Sequence, residues 1–306
     1  MNVLVVGTGS FGRLRGAAFA RRGCKVAFAS RDLERARAAT RALGGPQEHA
    51  GCDLDLAWAD AVFVATPPAC HSEPTLQAAR AGKPVLVEKP VEATLERARA
   101  LERDLGPAAA LVSVAENYRF LPQVPLVQGA SYLEAEVVLH RPRPPRGWRI
   151  DPALSGGGVL ADMGVHYVHL LRLLLGELEI ERAEERARAS SGADTAFFLE
   201  GKAGAARFSI DMSWVSWRRR SSVTLRAADR TVRFRVGKRH LWLVGFLGLP
   251  FDRKTLSGDV YGQEALHDDW LRAASERRAA IPLAQGTSDL ALVSAAYGLA
   301  HRERGR

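Results

Sequence analysis

At 306 residues the chain is longer than one core usually carries, so two domains are expected, and a 47% hydrophobic, 25% charged composition excludes a disordered chain. The formal charge of +9 invites a nucleic-acid reading. The cations are nearly all arginines spread over helices and strands, with lysine only at Lys25, Lys83, Lys89, Lys202, Lys238 and Lys254, so solvated faces account for the charge and no nucleic-acid partner is expected.

The chain begins with a continuous apolar run, Asn2 to Val6, as in a strand buried on both faces of a parallel sheet. An Ala-rich helical stretch follows to about Arg22. Strand Lys25–Ala29 and helix Leu33–Leu43 come next. Short strands are expected at Ala61–Ala65, Pro84–Glu88 and Ala110–Val114, separated by helices at Ser72–Ala81 and Leu95–Leu105. Strands alternating with helices predict a doubly wound parallel sheet, an α/β Rossmann domain over residues 1–118.

The pattern changes beyond Arg119. Tyr132 to His140 alternates like a strand, and a strong helix follows from about Gly158 to Leu175. Strands are then expected at Ile180–Ala189, Thr195–Glu200, Ala206–Trp214, Ser221–Ala227 and Thr231–Val236, with helices at Glu264–Arg277 and Ser288–Arg302. Residues 119–306 therefore read as an α+β domain with a large, mostly antiparallel open sheet. Phe208, Ile210, Met212 and Trp214 share one strand face, which either packs on helices or meets another subunit.

Cys24, Cys52 and Cys70 form no CxxC pair and no even framework, which points to a reducing compartment. A strand at the very start leaves no room for a signal peptide. The longest strongly apolar stretch, Leu241 to Phe251, is too short for a bilayer and contains Gly and Pro. A cytoplasmic location without membrane contact is expected.

Gly7, Gly9 and Gly12 form a G-x-G-x-x-G motif between a first strand and a helix, the context that dinucleotide binding requires. The second strand ends in Ser30-Arg31-Asp32. A hydroxyl and a guanidinium at that tip, with Arg35 one turn on, suit the 2′-phosphate of NADP, and Asp32 reads as the cap of the next helix. NADP is therefore the expected cofactor, with NAD the alternative. Glu88-Lys89-Pro90 lies at a strand's carboxyl end, where ligands sit in open α/β sheets. Asp162 and His166, four apart near a helix start, project from one face, where an imidazole oriented by a carboxylate can move a proton. No metal site is expected.

Five segments together resemble the family of glucose–fructose oxidoreductase, inositol dehydrogenase and MocA proteins. They are the glycine motif, Ala65-Thr-Pro-Pro68 with His71, Glu88-Lys-Pro90, Asn117-Tyr-Arg-Phe120, and Gly156 to His166; Leu266-His-Asp-Asp-Trp270 resembles the family's closing helix. The resemblance implies a Rossmann domain, a C-terminal domain with an open sheet, a site between them and a cis peptide at Lys89–Pro90. It places the catalytic roles on Lys89, Asp162 and His166. The cofactor would meet Gly7, Thr8, Gly9, Ser10, Phe11, Gly12, Ser30, Arg31, Arg35, Thr66, Pro67, Pro68, His71, Glu88, Lys89 and Asn117. The substrate would meet Lys89, Tyr118, Arg146, Trp148, Arg149, Asp162 and His166.

The expected activity is hydride transfer to or from a carbinol or ketone carbon of a sugar, cyclitol or related polyhydroxylated small molecule, with a homodimer or homotetramer as the assembly. A non-catalytic cofactor-binding regulator, and a hydrolase or epimerase using transient oxidation, are the alternatives. Two departures from the family pattern stand out. His169 takes the place of a frequent acidic residue, and His140 to Arg149 is unusually rich in Arg and Pro, which makes an acidic substrate an option.

Overall fold

Val3, Leu4, Val5 and Val6 are buried in the first strand, β1 (Asn2–Val6), as its unbroken apolar run requires. The structure is a computed structural model that describes residues 1–244, 250–257 and 259–304. The chain divides into two units, one of Met1–Glu116 with Leu266–Thr287, the other of Asn117–Ala265 with Ser288–Arg306. The first unit takes up a later segment, Leu266–Thr287, in addition to the N-terminal residues.

In the first unit β1, β2 (Lys25–Ala29), β3 (Ala61–Val64), β4 (Val85–Val87) and β5 (Val112–Val114) form a parallel sheet in the order β2-β1-β3-β4-β5. Helices α1 (Ser10–Arg21), α2 (Leu33–Ala42), α3 (Ser72–Arg80) and α4 (Leu95–Leu105) connect the strands. Gly16 lets α1 press onto β2, since a Cβ there would lie 2.7 Å from the Phe28 ring.

The second unit opens with the short α5 (Val124–Val127), strand β6 (Glu134–His140) and the short α6 (Pro152–Ser155). Helix α7 (Val165–Leu175) follows, and then β7 (Glu179–Arg188), β8 (Asp194–Ala203), β9 (Ala206–Ser213), β10 (Arg220–Arg226) and β11 (Thr231–Phe234). Two strands that the sequence reading did not separate, β12 (His240–Val244) and β13 (Pro250–Thr255), complete an eight-stranded sheet in the order β13-β12-β11-β10-β6-β9-β8-β7. The pair β6–β9 is parallel and its other pairs are antiparallel. The apolar stretch Leu241 to Phe251 thus contributes to two strands, and its residues 245–249 lie outside the described residues. Helices α8 (Gln263–Ser275) and α9 (Leu283–Arg304) follow.

The face of Phe208, Ile210, Met212 and Trp214 is resolved in favour of internal packing. All four side chains are buried within the chain, and a Cβ at Gly164, just before α7, would lie 3.0 Å from the Met212 methyl. This face therefore gives no argument for a second subunit. The stretch Pro152–Leu175 has the length and hydropathy of a membrane span, but 72% of its 18-residue apolar window is buried in the protein, as befits a core helix.

Candidate active site

In the first unit, the turn from Gly7 to Gly12 is one that side chains cannot enter. Gly7 adopts φ +110°, and a Cβ there would lie 2.8 Å from the Ala65 carbonyl oxygen; one at Gly12 would lie 2.1 Å from that of Gly7. A Cβ at Gly9 would meet open space, so the middle of the turn faces outward. Gly9 is also the N-cap of α1, whose first turn (Ser10, Phe11, Gly12, Arg13) presents N–H groups and a positive dipole end. Thr8, Ser10 and Phe11 border this turn. The cradle fits a dinucleotide's phosphates.

At the tip of β2, Asp32 caps α2 by accepting the Arg35 amide at 3.1 Å, and its own amide donates to Ser30 Oγ at 3.3 Å. Arg31 and Arg35 extend into solvent. Thr66 and Pro67 are half-buried and Pro68 is buried. His71 is wholly buried, with Nε2 2.9 Å from Thr66 O and Nδ1 3.1 Å from Pro90 O. A ring nitrogen thus faces a backbone carbonyl of each loop, and the neutral ring that burial favours donates to one of them.

Lys89 precedes Pro90 across a cis peptide, as the resemblance implies. Behind it stands a buried cluster that the sequence reading missed. Arg15, 1% exposed on α1, donates from Nε to Glu88 Oε1 at 2.6 Å and from Nη1 to His267 Nε2 at 3.1 Å. Glu88 Oε2 in turn accepts the Lys89 amide at 3.3 Å. Glu88 therefore holds the lysine's backbone. A guanidinium only donates, so His267 accepts as a neutral ring. Burial, with Arg15, Arg22 and Arg21 nearby, pushes its pKa from 6.5 down to about 3.

That shift gives a stability prediction. The unfolded chain takes up a proton at His267 near pH 6.5 and the folded chain only near pH 3, so acid favours unfolding across that window. One such group accounts for a slope of up to about 1.4 kcal/mol per pH unit. Urea unfolding at pH 7 and pH 5 should show a smaller loss for His267→Gln than for wild type. An equal loss in both would place the acid sensitivity elsewhere.

The second unit builds the turn that carries Asp162 and His166. Gly157 and Gly158 leave room for two residues from distant segments: a Cβ at Gly157 would lie 2.1 Å from the Tyr297 hydroxyl, and one at Gly158 would lie 1.9 Å from Asp194 O. The Asp194 carboxylate accepts the Gly158 amide at 2.6 Å, the Leu160 amide at 2.9 Å and the Tyr297 hydroxyl at 2.6 Å. It acts as a remote N-cap. From Leu160 to Gly164 the backbone forms a π-turn before α7 begins. In a regular α-helix residues four apart are offset by about 40° around the axis. The wider π-turn reduces that offset and brings Asp162 and His166 nearer to one line.

Three further expected residues join this turn. The Tyr118 ring stacks on His166 with centroids 4.3 Å apart and an 11° interplanar angle. Arg149 Nε lies 3.9 Å from Asp162 Oδ2, and its guanidinium sits 4.9 Å from the centre of the Trp148 ring. Arg146 is exposed. Asn117, expected against the cofactor, falls in the second unit, where its amide donates to Tyr261 O at 2.5 Å. His169, the departure from the family pattern, is buried with Nδ1 2.8 Å from Asp289 Oδ2, and Arg172 binds the other oxygen at 2.7 Å. A carboxylate absent from position 169 is thus supplied by α9.

Two family models match successive parts of the chain. Residues 1–115 match the model of the GFO/IDH/MocA oxidoreductase family, NAD-binding Rossmann fold, and residues 131–236 match the GFO/IDH/MocA C-terminal domain. Levoglucosan dehydrogenase of Pseudarthrobacter phenanthrenivorans is 31% identical over 47% of this chain and 41% of its own. Inositol 2-dehydrogenase 2 of Saccharopolyspora erythraea is 34% identical over 58% and 54%. The matched region spans about half the length of these relatives. Among solved structures, levoglucosan dehydrogenase in complex with NADH and levoglucosan superposes with a TM-score of 0.85 at 20% identity, over 99% of this chain and 98% of that one. UDP-N-acetylglucosamine 3-dehydrogenase from Acidithiobacillus ferrooxidans gives 0.81 at 22% identity, over 97% and 96%. At such identities the likeness is one of fold.

Proposed function

The chain belongs to the GFO/IDH/MocA oxidoreductase family, and on that premise we propose that it is an NAD(P)-dependent dehydrogenase or reductase of a sugar, cyclitol or similar polyhydroxylated compound. The observation that carries this reading is the π-turn that holds Asp162 just before His166, capped by Asp194, with Tyr118 stacked on His166. Held at the glycine turn, the nicotinamide dinucleotide would accept or supply the hydride. His166 removes the proton from the carbinol oxygen, and Asp162 sets the ring's orientation and stabilises its charged form. Lys89 offsets the negative charge that develops on that oxygen. A screen of sugars and cyclitols with each dinucleotide, followed by nicotinamide absorbance, tests the reading. Absence of turnover across the screen, with cofactor bound, would favour a regulator.

The cofactor we propose is NADP. Asp32 is engaged in capping α2, which leaves Ser30, Arg31 and Arg35 to face a 2′-phosphate. A charge-assisted hydrogen bond contributes about 1.5–3 kcal/mol, or roughly ten- to hundred-fold in affinity. Titration should show NADP binding tighter than NAD, with Arg31→Ala removing most of the difference. Tighter binding of NAD by the wild type would reverse the assignment. We further propose a cytoplasmic homodimer or homotetramer, which rests on the family resemblance; a monomeric mass at micromolar concentration would refute the assembly.

A further inference from the structure

The second unit concentrates cations at one end of its sheet. At that end His140 of β6 pairs with Ser213 of β9 and with Arg220 of β10. The loops leaving these strands run together: the Arg141 amide donates to Ser213 O at 2.7 Å and the Ser216 amide to Arg141 O at 3.1 Å. Arg141, Arg143, Arg146, Arg218, Arg219 and Arg220 lie on these two tracts and all are exposed. Residues 141–150 and 214–220 contain neither Asp nor Glu.

The rest of the sheet is different. Arg182 pairs with Glu184 and Glu200, Arg186 with Glu184 and Asp211, and Arg226 with Glu134 and Glu136. Among the described residues, these six arginines have no such carboxylate partner. Uncompensated like charge repels itself and focuses a field that draws anions. Trp217 stands in the middle, 81% exposed, with the Arg218 guanidinium 3.9 Å from the ring centre. A bare indole beside cations is a stacking platform.

This cationic end adjoins the His166 turn. Tyr167, the next residue, is hydrogen-bonded to Ser221, which follows Arg220, and to Tyr118, which stacks on His166. Arg149, at the end of the first tract, approaches Asp162. Pro142, Pro144 and Pro145 stiffen that tract and limit the entropy lost on binding.

We propose that these arginines bind the phosphate of a phosphorylated sugar substrate, with Trp217 taking the base where that phosphate belongs to a nucleotide. Arginine forks match phosphate oxygens two at a time. The proposal rests on the dehydrogenase reading, and its test separates the two. Protein saturated with NADP, so that the dinucleotide site is filled, is titrated with inorganic phosphate and with UDP, and turnover is compared for free sugars, sugar phosphates and UDP-sugars.

The expected result is measurable binding that weakens with salt, loss of UDP affinity of at least about ten-fold in Arg218→Ala/Arg219→Ala, and faster turnover of phosphorylated than of free sugars. Thermal unfolding unchanged from the wild type shows that the variants are folded, and Trp217→Ala provides a second, milder probe. UDP binding that exceeds phosphate binding and depends on Trp217 identifies a nucleotide sugar; equal binding identifies a simple sugar phosphate. Binding of UDP without turnover of any sugar would sink the dehydrogenase reading and leave the phosphate site standing. Turnover of free sugars, with neither probe bound or with binding unchanged in the variants, would overturn the phosphate site alone.

Discussion

His166→Ala should lower turnover by about two to four orders of magnitude, the usual scale for losing an acid–base group, while the dinucleotide binds nearly as in the wild type. The dinucleotide cradle lies in the first unit and His166 in the second, so removing the ring leaves the cradle's glycine packing untouched. The ring is 7% exposed and stacked on Tyr118, which fixes the plane in which it can meet a hydroxyl. Steady-state kinetics beside cofactor titration separates the two effects. Lys89→Ala should reduce turnover on a similar scale, but with some loss of cofactor affinity. Near-normal turnover in His166→Ala would transfer the base role to Lys89 or Tyr118.

Asp194→Ala should be the most destabilising single change in the second unit that we expect. The carboxylate is 2% exposed and receives two backbone amides and the Tyr297 hydroxyl. Burial pushes its pKa above the usual carboxylate range, while those three donors pull the other way. Truncation leaves the donors buried, at about 1–3 kcal/mol each, and a total of about 4 kcal/mol is expected. For a unit of this size that lowers the melting temperature by roughly 10 °C. Tyr297→Phe removes the bond to Asp194 and the longer one from the Gly158 amide at 3.3 Å, which Asp194 also accepts, and should cost about 1–2 kcal/mol. Thermal unfolding of the two variants checks the ranking, and an Asp194→Ala protein as stable as Tyr297→Phe would show that the cap does not hold the turn.

Much of the site was legible because its residues carry local signals. Gly7 and Gly12 stand where any side chain would collide with backbone, so the motif is visible without the fold. Lys89 and His166 were proposed through the family resemblance and by their places at a strand end and a helix start. Arg15, Asp194 and Tyr297 escaped notice, and His267 was read only as part of the closing-helix segment. A buried arginine three residues after Gly12 looks, in sequence, like any cation on an Ala-rich helix. Which way the polar atoms of His71 and Asn117 turn depends on carbonyls elsewhere, which the sequence does not show.

The sequence by itself determined the parallel sheet of the first unit, because strands buried on both faces must be continuous apolar runs. It also determined the glycine turn and the helix that follows, through backbone sterics alone. Only the tertiary structure decided that Met212, on the Phe208–Trp214 face, packs against Gly164 just before α7, that β6 and β9 pair in parallel, and that a π-turn holds Asp162 ahead of His166. The partners concerned are far apart in the chain: Gly158 and Asp194 are separated by 36 residues, Gly158 and Tyr297 by 139, and Arg15 and His267 by 252. Periodicity and turn chemistry act over a few residues, whereas a buried charge finds its partner only when the chain has packed.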